Sequence, residues 1–386
     1  MPMPEPGYDI DAWRRRIPLL ASCIPFNNCS QSPQTDLTRA AADRYLESWN
    51  RTGMDWDAWM EEVRLAKVAF ARLIGAAPDE VAVFSSVSEA TSAVASALDF
   101  TGRKRGVVAS EMEFPTSGHV WLAQERRGAR VSWVATDDGM IDGAAYDAAI
   151  RDDTALVAAC SAHYLNGFIQ DIGRIVARAH DADALVFTDA YQALGAIPVN
   201  VRESGVDFLA SGNLKYLMGV PGIAFLYVRP EITNTLHPTV TGWFGRANPF
   251  AFDAKRLDWS TGASRFDCGT PPVMNAYIAR AGMEMLLAIG IEKIREWHQV
   301  LSRRLCEGGR ERGLTQHGTS DPARKTANTA FVVTDSHAIE HAMRARGILP
   351  SARGPVIRLA PHFYNTIADV DTALDVLAEL TRDGRA

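Results

Sequence analysis

Residues 188–228 read TDAYQALGAIPVNVRESGVDFLASGNLKYLMGVPGIAFLYV, and the order of textures in this stretch decides the fold class. An apolar run at 184–188 has the composition of a β-strand and delivers Asp189 at its carboxyl end. A second run near 207–210 leads into the Gly-flanked loop SGNLKYLMG, which carries Lys215, and 222–228 forms a third strand. In open α/β sheets, ligands collect outside the carboxyl ends of the strands, where Asp189 and Lys215 both stand. Each residue also has a plainer reading: an aspartate after a strand often caps a helix, and a lysine is most often a surface residue. Their order and setting suit a joint role. A lysine that forms an imine with an aldehyde cofactor must reach the cofactor plane, and an aspartate facing a pyridine nitrogen keeps it protonated as an electron sink.

Upstream of this stretch, β-rich runs at 81–84, 106–109, 131–135 and 155–159 are mostly separated by helix-length segments. Such alternation predicts a mostly parallel sheet with helices on both faces. The closely spaced runs at 207–210 and 222–228 complete the sheet, one of them antiparallel. Residues 36–74 read as helical, with Trp56, Trp59, Val63 and Val68 at helix-like intervals and Gly75 as a stop. From Pro272 a helical pattern runs to about Arg312, followed by a strand at 328–334, a helix at 338–346, a strand at 356–359 and a last helix from Ile367. The expected organisation is an N-terminal arm over 1–20 that joins the small domain, a large α/β domain over 21–266 and a smaller α+β domain over 267–386.

Length and composition agree with a folded globular enzyme-sized chain: 386 residues, 47% apolar and 22% charged, with a formal charge of −6. Scattered charge of this sign provides no footprint for nucleic acid or an anionic membrane, which leaves small-molecule chemistry. Arg14, Arg15 and Arg16 before the apolar stretch 17–26 imitate a secretion signal, but acidic residues precede them and Pro18 and Pro25 interrupt it. Cys23, Cys29, Cys160, Cys268 and Cys306 show no CxxC spacing and read as small buried hydrophobes of a reduced, cytoplasmic protein. The nine histidines form no cluster of ligand spacing, so a metal is not expected.

The 188–228 segment resembles the cofactor segment of class V pyridoxal-phosphate enzymes, the group that includes cysteine desulfurases, selenocysteine lyases, kynureninases and isopenicillin N epimerase-like proteins. The resemblance spans roughly residues 20–380 and implies fold type I with pyridoxal 5'-phosphate as cofactor. It implies that Lys215 is the Schiff-base lysine, that Asp189 pairs with the pyridinium nitrogen, that Gln192 lies near the phenolic oxygen or imine, and that Ser211 and Asn213 belong to the same cradle. In FSSVSEAT, Val87 and Ser88 occupy a strand-to-helix turn that in the family binds phosphate, and a helix N-terminus suits an anion. Ser86 and Glu89 also fit a capping box, and both readings can hold. Phe114 of EFPTSG stands where the family places an aromatic ring over the cofactor, and Asn166 of SAHYLNG where an asparagine contacts the phenolic oxygen.

Further matches concern substrate and assembly. RFDCGTPP resembles the segment whose Gly-Thr pair, Gly269 and Thr270 here, reaches the phosphate of a neighbouring subunit's cofactor, which implies a homodimer with shared sites. TGWFGRANPF resembles an element of kynureninases; Trp243 matches it and is expected to bind the cofactor, with structural packing as its alternative, while Arg246 stands in place of their histidine and puts kynurenine recognition in doubt. PVIRLAPHFYNT looks like the family's carboxylate-binding strand, in which Arg358 clamps an α-carboxylate bidentately, and Asn28 is expected beside the substrate. Desulfurases that work through a persulfide carry a cysteine shortly before that arginine, and 337–357 has none. The GWFG and EFP matches lean toward the lyase and hydrolase branch, so the resemblance implies cleavage of an α-amino acid at the β-position without a persulfide, as a C–S or C–Se lyase or a kynureninase-like hydrolase. Transamination and epimerisation on the same fold are the alternatives. A binding or regulatory protein that keeps the fold without turnover is the rival of another class, and neither a basic segment nor a helix-turn-helix pattern supports it.

Overall fold

A computed structural model of the chain describes residues 5–136 and 139–382. Residues 1–4 of the expected arm, 383–386 of the expected small domain, and 137–138 lie outside the described residues. Thirteen strands occur among those described: β1 Ile24–Pro25, β2 Val81–Phe84, β3 Gly106–Ser110, β4 Arg130–Val134, β5 Thr154–Cys160, β6 Leu185–Asp189, β7 Phe208–Gly212, β8 Ala224–Val228, β9 Gln316–His317, β10 Thr329–Val332, β11 Ile348–Leu349, β12 Ser351–Arg353 and β13 Val356–Leu359. Seven of them form the central sheet in the order β2-β8-β7-β6-β5-β3-β4. All neighbours are parallel except that β8 runs antiparallel to both β2 and β7.

The apolar character of these strands has a packing cause. Side chains alternate between faces, so Val81, Val83, Leu209, Phe225 and Tyr227 enter one core while Ala82, Phe84, Phe208, Ala210 and Leu226 enter the other. Both faces are covered by helices, and the strands consequently read as continuous apolar runs rather than as alternating ones.

The helical reading of 36–74 resolves into two helices, Asp36–Thr52 and Trp56–Ile74. Gly53 at φ 70° ends the first, and the Asp55 side chain caps the second. The long pattern after Pro272 likewise divides into Val273–Ile289 and Ile291–Glu311, with Gly290 at φ 97° between them. Met283, Leu286 and Ile289 pack in the same core as Phe70 and Phe225, whereas Trp297, Leu301 and Leu305 pack with Phe331, Ile357 and Leu374. The chain changes from one core to the other between Ile294 and Trp297, within the second of these helices. The second body is an antiparallel sheet, β12-β13-β10-β9, with the helices Ser336–Ala345 and Ile367–Arg382. The start of the chain is tied to it: β1 pairs parallel with β11, Phe26 lies in its core, and the Tyr8 hydroxyl donates to the Phe363 carbonyl at 2.7 Å. No described helix is long and apolar enough to cross a membrane.

Candidate active site

A cavity of ≈ 360 Å³ opens at the carboxyl ends of the parallel strands and brings together Lys215, Asp189, Gln192, Phe114 and Arg358. Each arrives from a different element: Asp189 is the last residue of β6, Lys215 follows β7, Phe114 caps the helix Pro115–Ala123 after β3, and Arg358 lies on β13 of the second body. Parallel topology requires every strand to end on the same edge, which is why segments far apart in sequence share one wall.

Lys215 projects between two rings, its Nζ 4.1 Å from the centroid of Tyr191 and 5.5 Å from that of Phe114. Burial of the ammonium lowers its pKa from 10.5 to about 8; Asp189 opposes the shift, and the charges of Arg358 and Arg353 add to it. A buried lysine with a lowered pKa is a competent nucleophile toward an aldehyde near neutral pH. Asp189 is buried, and its Oδ1 accepts the Tyr191 N–H at 2.8 Å. Desolvation raises its pKa, while that N–H and Lys215 hold it down.

Beneath Asp189 lies a second carboxyl that the sequence did not single out. Glu113 Oε1 accepts the Cys160 N–H at 2.7 Å and the Ser110 hydroxyl at 3.3 Å, and its Oε2 has no partner among the described residues. Cys160 is the register partner of Asp189 across β5 and β6. Burial, with the charge of Asp189 added, pushes Glu113 up to about 7. A carboxyl next to a glutamate's more conspicuous neighbours Phe114 and Pro115 offers no pattern in one dimension; its role depends on strands that meet only in the folded sheet.

At the end of the cavity formed by β2, the helix Val87–Ala97 begins with half of the expected capping box, the glutamate reaching back one residue beyond the N-cap. Ser86 accepts the Glu89 N–H at 3.1 Å, and Glu89 in turn accepts from the Ser85 N–H at 3.0 Å. Ser88 Oγ donates to Thr116 Oγ1 at 3.3 Å, joining this helix start to the one after Phe114. Val87 is buried and Ser88 exposed, both on the cavity wall. The first N–H groups of a helix lack partners within the helix and carry its positive dipole end, so this wall suits an anion.

On the opposite body, Arg358 is 1% exposed and already engaged. Its Nη1 donates to the Tyr164 carbonyl at 2.8 Å, its Nη2 to Ser351 Oγ at 2.6 Å and Ser30 Oγ at 3.0 Å, and its Nε to the Ser351 carbonyl at 3.4 Å. A guanidinium has five N–H donors, so one on Nη1 is left over. A bidentate carboxylate therefore has to displace a serine hydroxyl, which a rotation about χ1 of Ser30 or Ser351 permits.

Of the other residues expected at the site, Gln192 is on the wall and the rest lie behind or away from it. Asn166 spends its amide internally, with Oδ1 on the Phe168 N–H and the His163 ring and Nδ2 donating to the Gly139 carbonyl at 2.8 Å. Asn28 accepts from Tyr364 and Ser32 and donates to the Ala360 carbonyl. Ser211 donates to the Gly212 carbonyl, and Asn213 is buried with neither side-chain polar atom partnered among the described residues. Gln192 lines the cavity and is oriented by its Nε2 donating to the Cys29 carbonyl at 2.9 Å. Gly269 and Thr270 are exposed and not on this wall. Trp243 packs in an aromatic group with Trp56, Phe250 and Phe252 outside the cavity, and Arg246 clamps that loop through Asp258 at 2.7 Å and the Asp253 carbonyl at 2.9 Å. The wall also includes Tyr191 and Tyr164, which stand inside the TDAYQALG and SAHYLNG motifs without having been singled out, and Cys29 and Arg353, whose only signal is proximity in the fold.

Comparison with known proteins agrees with this architecture. The model of the family described as aminotransferase class-V matches residues 37–371. An uncharacterized aminotransferase, YcbU, of Bacillus subtilis (strain 168) is 37% identical over 376 residues, covering 96% of this chain and 98% of the relative. A kynureninase of Pseudomonas fluorescens is 26% identical over 376 residues, covering 92% and 88%. Among solved structures, the apo structure of a cysteine desulfurase from Thermococcus onnurineus NA1 superposes with a TM-score of 0.88 at 23% identity, covering 99% of this chain and 100% of that one, and shares the fold. The chain belongs to the class-V aminotransferase family.

Proposed function

We propose that the cavity holds pyridoxal 5'-phosphate as an imine of Lys215 and that the enzyme acts on α-amino acids. The observation that carries this reading is the placement of Lys215 Nζ between the rings of Tyr191 and Phe114, above the buried carboxyl of Asp189. The residues present fit the group: a flat slot for the ring, an acid beneath for its nitrogen, and the start of the helix Val87–Ala97 for its phosphate. Bound there, the cofactor supplies an electron sink that stabilises negative charge at the substrate's α-carbon. With the cofactor bound, Asp189 would hold a proton on the pyridine nitrogen, and Lys215 as a free amine would serve as general base for the α-proton, a role that its lowered pKa of about 8 suits near neutral pH. Arg358 orients the α-carboxylate, with Ser30 and Ser351 yielding to it. Phe114 and Tyr191 exclude water from the ring faces.

The reaction we favour is cleavage at the β-position, without a persulfide cysteine. Its support is the kynureninase relative at 26% identity over nearly the whole chain and the lack of cysteine over 337–357. Transamination is the second reading, favoured by the printed name of the relative at 37% identity. The exposed Gly269 and Thr270 suit a homodimer in which they serve the partner's phosphate. The absorption spectrum of the purified protein, with cysteine derivatives, kynurenine and alanine added in turn, tests all of this. Release of pyruvate, alanine or sulfide supports β-cleavage. Conversion to the pyridoxamine form, reversed by a 2-oxo acid, establishes transamination. An imine band that persists in Lys215→Ala overturns the assignment of the lysine.

A further inference from the structure

We infer that the substrate bears a second anionic group on its side chain and that Arg353 receives it. This inference rests on the reading of Arg358 as the α-carboxylate ligand. Across the antiparallel pair β12 and β13, Ser351 is the partner of Arg358, Ala352 of Ile357 and Arg353 of Val356. Cross-strand partners share a face and residues two apart along a strand share it too, so Ser351, Arg353 and Arg358 project from the same side. The contact of Arg358 Nη2 with Ser351 Oγ fixes that side as the one toward the cavity, while Ala352 and Ile357 face the core of the second body. Arg353 stands one strand repeat farther out, about 7 Å along the backbone, at the cavity mouth.

Before the cofactor's phosphate is counted, cations outnumber carboxylates on this wall, and Arg353 comes from a different body than the helix start that suits that phosphate. Lys215, Arg353 and Arg358 line it against the single carboxylate of Asp189, which sits at the floor beside Lys215. Among the described residues no carboxylate pairs with Arg353, and no hydrogen bond ties its guanidinium to the chain; its charge instead reaches Lys215 and helps depress that ammonium. Arg353 is exposed, and its guanidinium lacks the kind of pairing that holds Arg246 to Asp258 and Arg280 to Glu62. With the α-carboxylate on Arg358, the free fork of Arg353 lies where the far end of a substrate side chain emerges. A carboxylate or sulfinate there gains a charge-assisted bidentate contact that an amide or an aryl group lacks. The substrate class is therefore acidic α-amino acids, whichever bond is broken afterwards.

Calorimetric titration of the holoenzyme with succinate and with succinamate, its half-amide, tests this. The two ligands match in shape and differ by one charge. The wild type binds succinate about tenfold or more tightly than succinamate, the scale of one charge-assisted hydrogen bond. Arg353→Gln loses that preference while its affinity for succinamate and its cofactor content stay as in the wild type, and Arg353→Lys keeps part of it. The inference is overturned if the wild type shows no preference, if Arg353→Gln retains it, if that variant loses both ligands equally, or if it loses cofactor, which assigns Arg353 to the phosphate. Because calorimetry does not depend on an imine band, absence of that band defeats the proposed function separately from this test.

Discussion

The ammonium nitrogen of Lys215 lies 4.1 Å from the centre of the Tyr191 ring, and both residues follow strands that end at the same edge of the sheet. The Tyr191 backbone N–H is also the donor to Asp189 Oδ1, so a single short turn supplies a platform for the lysine and an anchor for the acid beneath it. Loss of water around the ammonium outweighs the attraction of Asp189, and several consequences are measurable.

Imine formation between the apo-protein and pyridoxal 5'-phosphate is expected to accelerate as pH rises through about 8, where Lys215 sheds its proton, rather than through its ordinary 10.5. Stopped-flow absorbance at a series of pH values reads this directly. An inflection at the ordinary lysine value shows that the amine is solvated.

Glu113 carries a stability signature. Its pKa is raised from 4.5 to about 7, so between these values the folded state keeps a proton that the unfolded chain has released, and stability falls as pH rises across that window. The full effect is on the order of 3 kcal/mol. Glu113→Gln preserves an acceptor for the Cys160 N–H and has no proton to lose. Its stability relative to wild type therefore increases between pH 5 and pH 8, as read by denaturant unfolding of the two apo-proteins. Parallel pH profiles mean that Glu113 is ionised in the fold.

Arg358→Ala is expected to raise KM for α-amino acids by the equivalent of about 2–5 kcal/mol, with far less change in cofactor retention. The Tyr164 carbonyl also loses its donor, so Arg358→Lys provides the control, keeping charge but not the fork. If neither variant alters the binding of α-carboxylates, the clamp lies elsewhere.

Gly195 has φ 86°, and a β-carbon on it would overlap the carbonyl oxygen of Tyr216, the residue after Lys215. That same oxygen accepts from His362 Nε2 at 2.9 Å. Gly195→Ala is expected to destabilise the protein by about 2 kcal/mol or more, since both conformation and space oppose it. A thermal melt and the intensity of the imine band should fall together, and an unchanged melt shows that the loop relaxes without strain.

Thr270→Ala tests the shared site. Hybrids formed by mixing Lys215→Ala and Thr270→Ala protomers contain one site with an intact lysine and one intact neighbour loop in different combinations from either parent. Cofactor affinity unchanged by Thr270→Ala in the homogeneous protein argues against a cross-subunit phosphate contact.

Much of this protein is determined locally. Six apolar runs mark central strands buried on both faces, the edge strand β4 being largely exposed, and the helix start at Ser86 and stop at Gly75 follow from side-chain capping and a left-handed glycine. Lys215 and Asp189 are legible because strand, turn and residue type coincide within a short stretch. Tertiary structure decided the rest. Only parallel pairing puts Cys160 beside Asp189 and so brings Glu113 beneath the site. Only the β12–β13 register sends Arg353 and Arg358 to one wall. The passage from one core to the other falls inside the helix Ile291–Glu311, between Ile294 and Trp297, because periodicity records that a face is buried but not against what. Asn166 has the residue type of a ligand contact, yet its hydrogen bonds are consumed by neighbours that a linear pattern does not reveal. Covalent order and short-range sterics set the elements; which side chains meet depends on contacts between segments hundreds of residues apart.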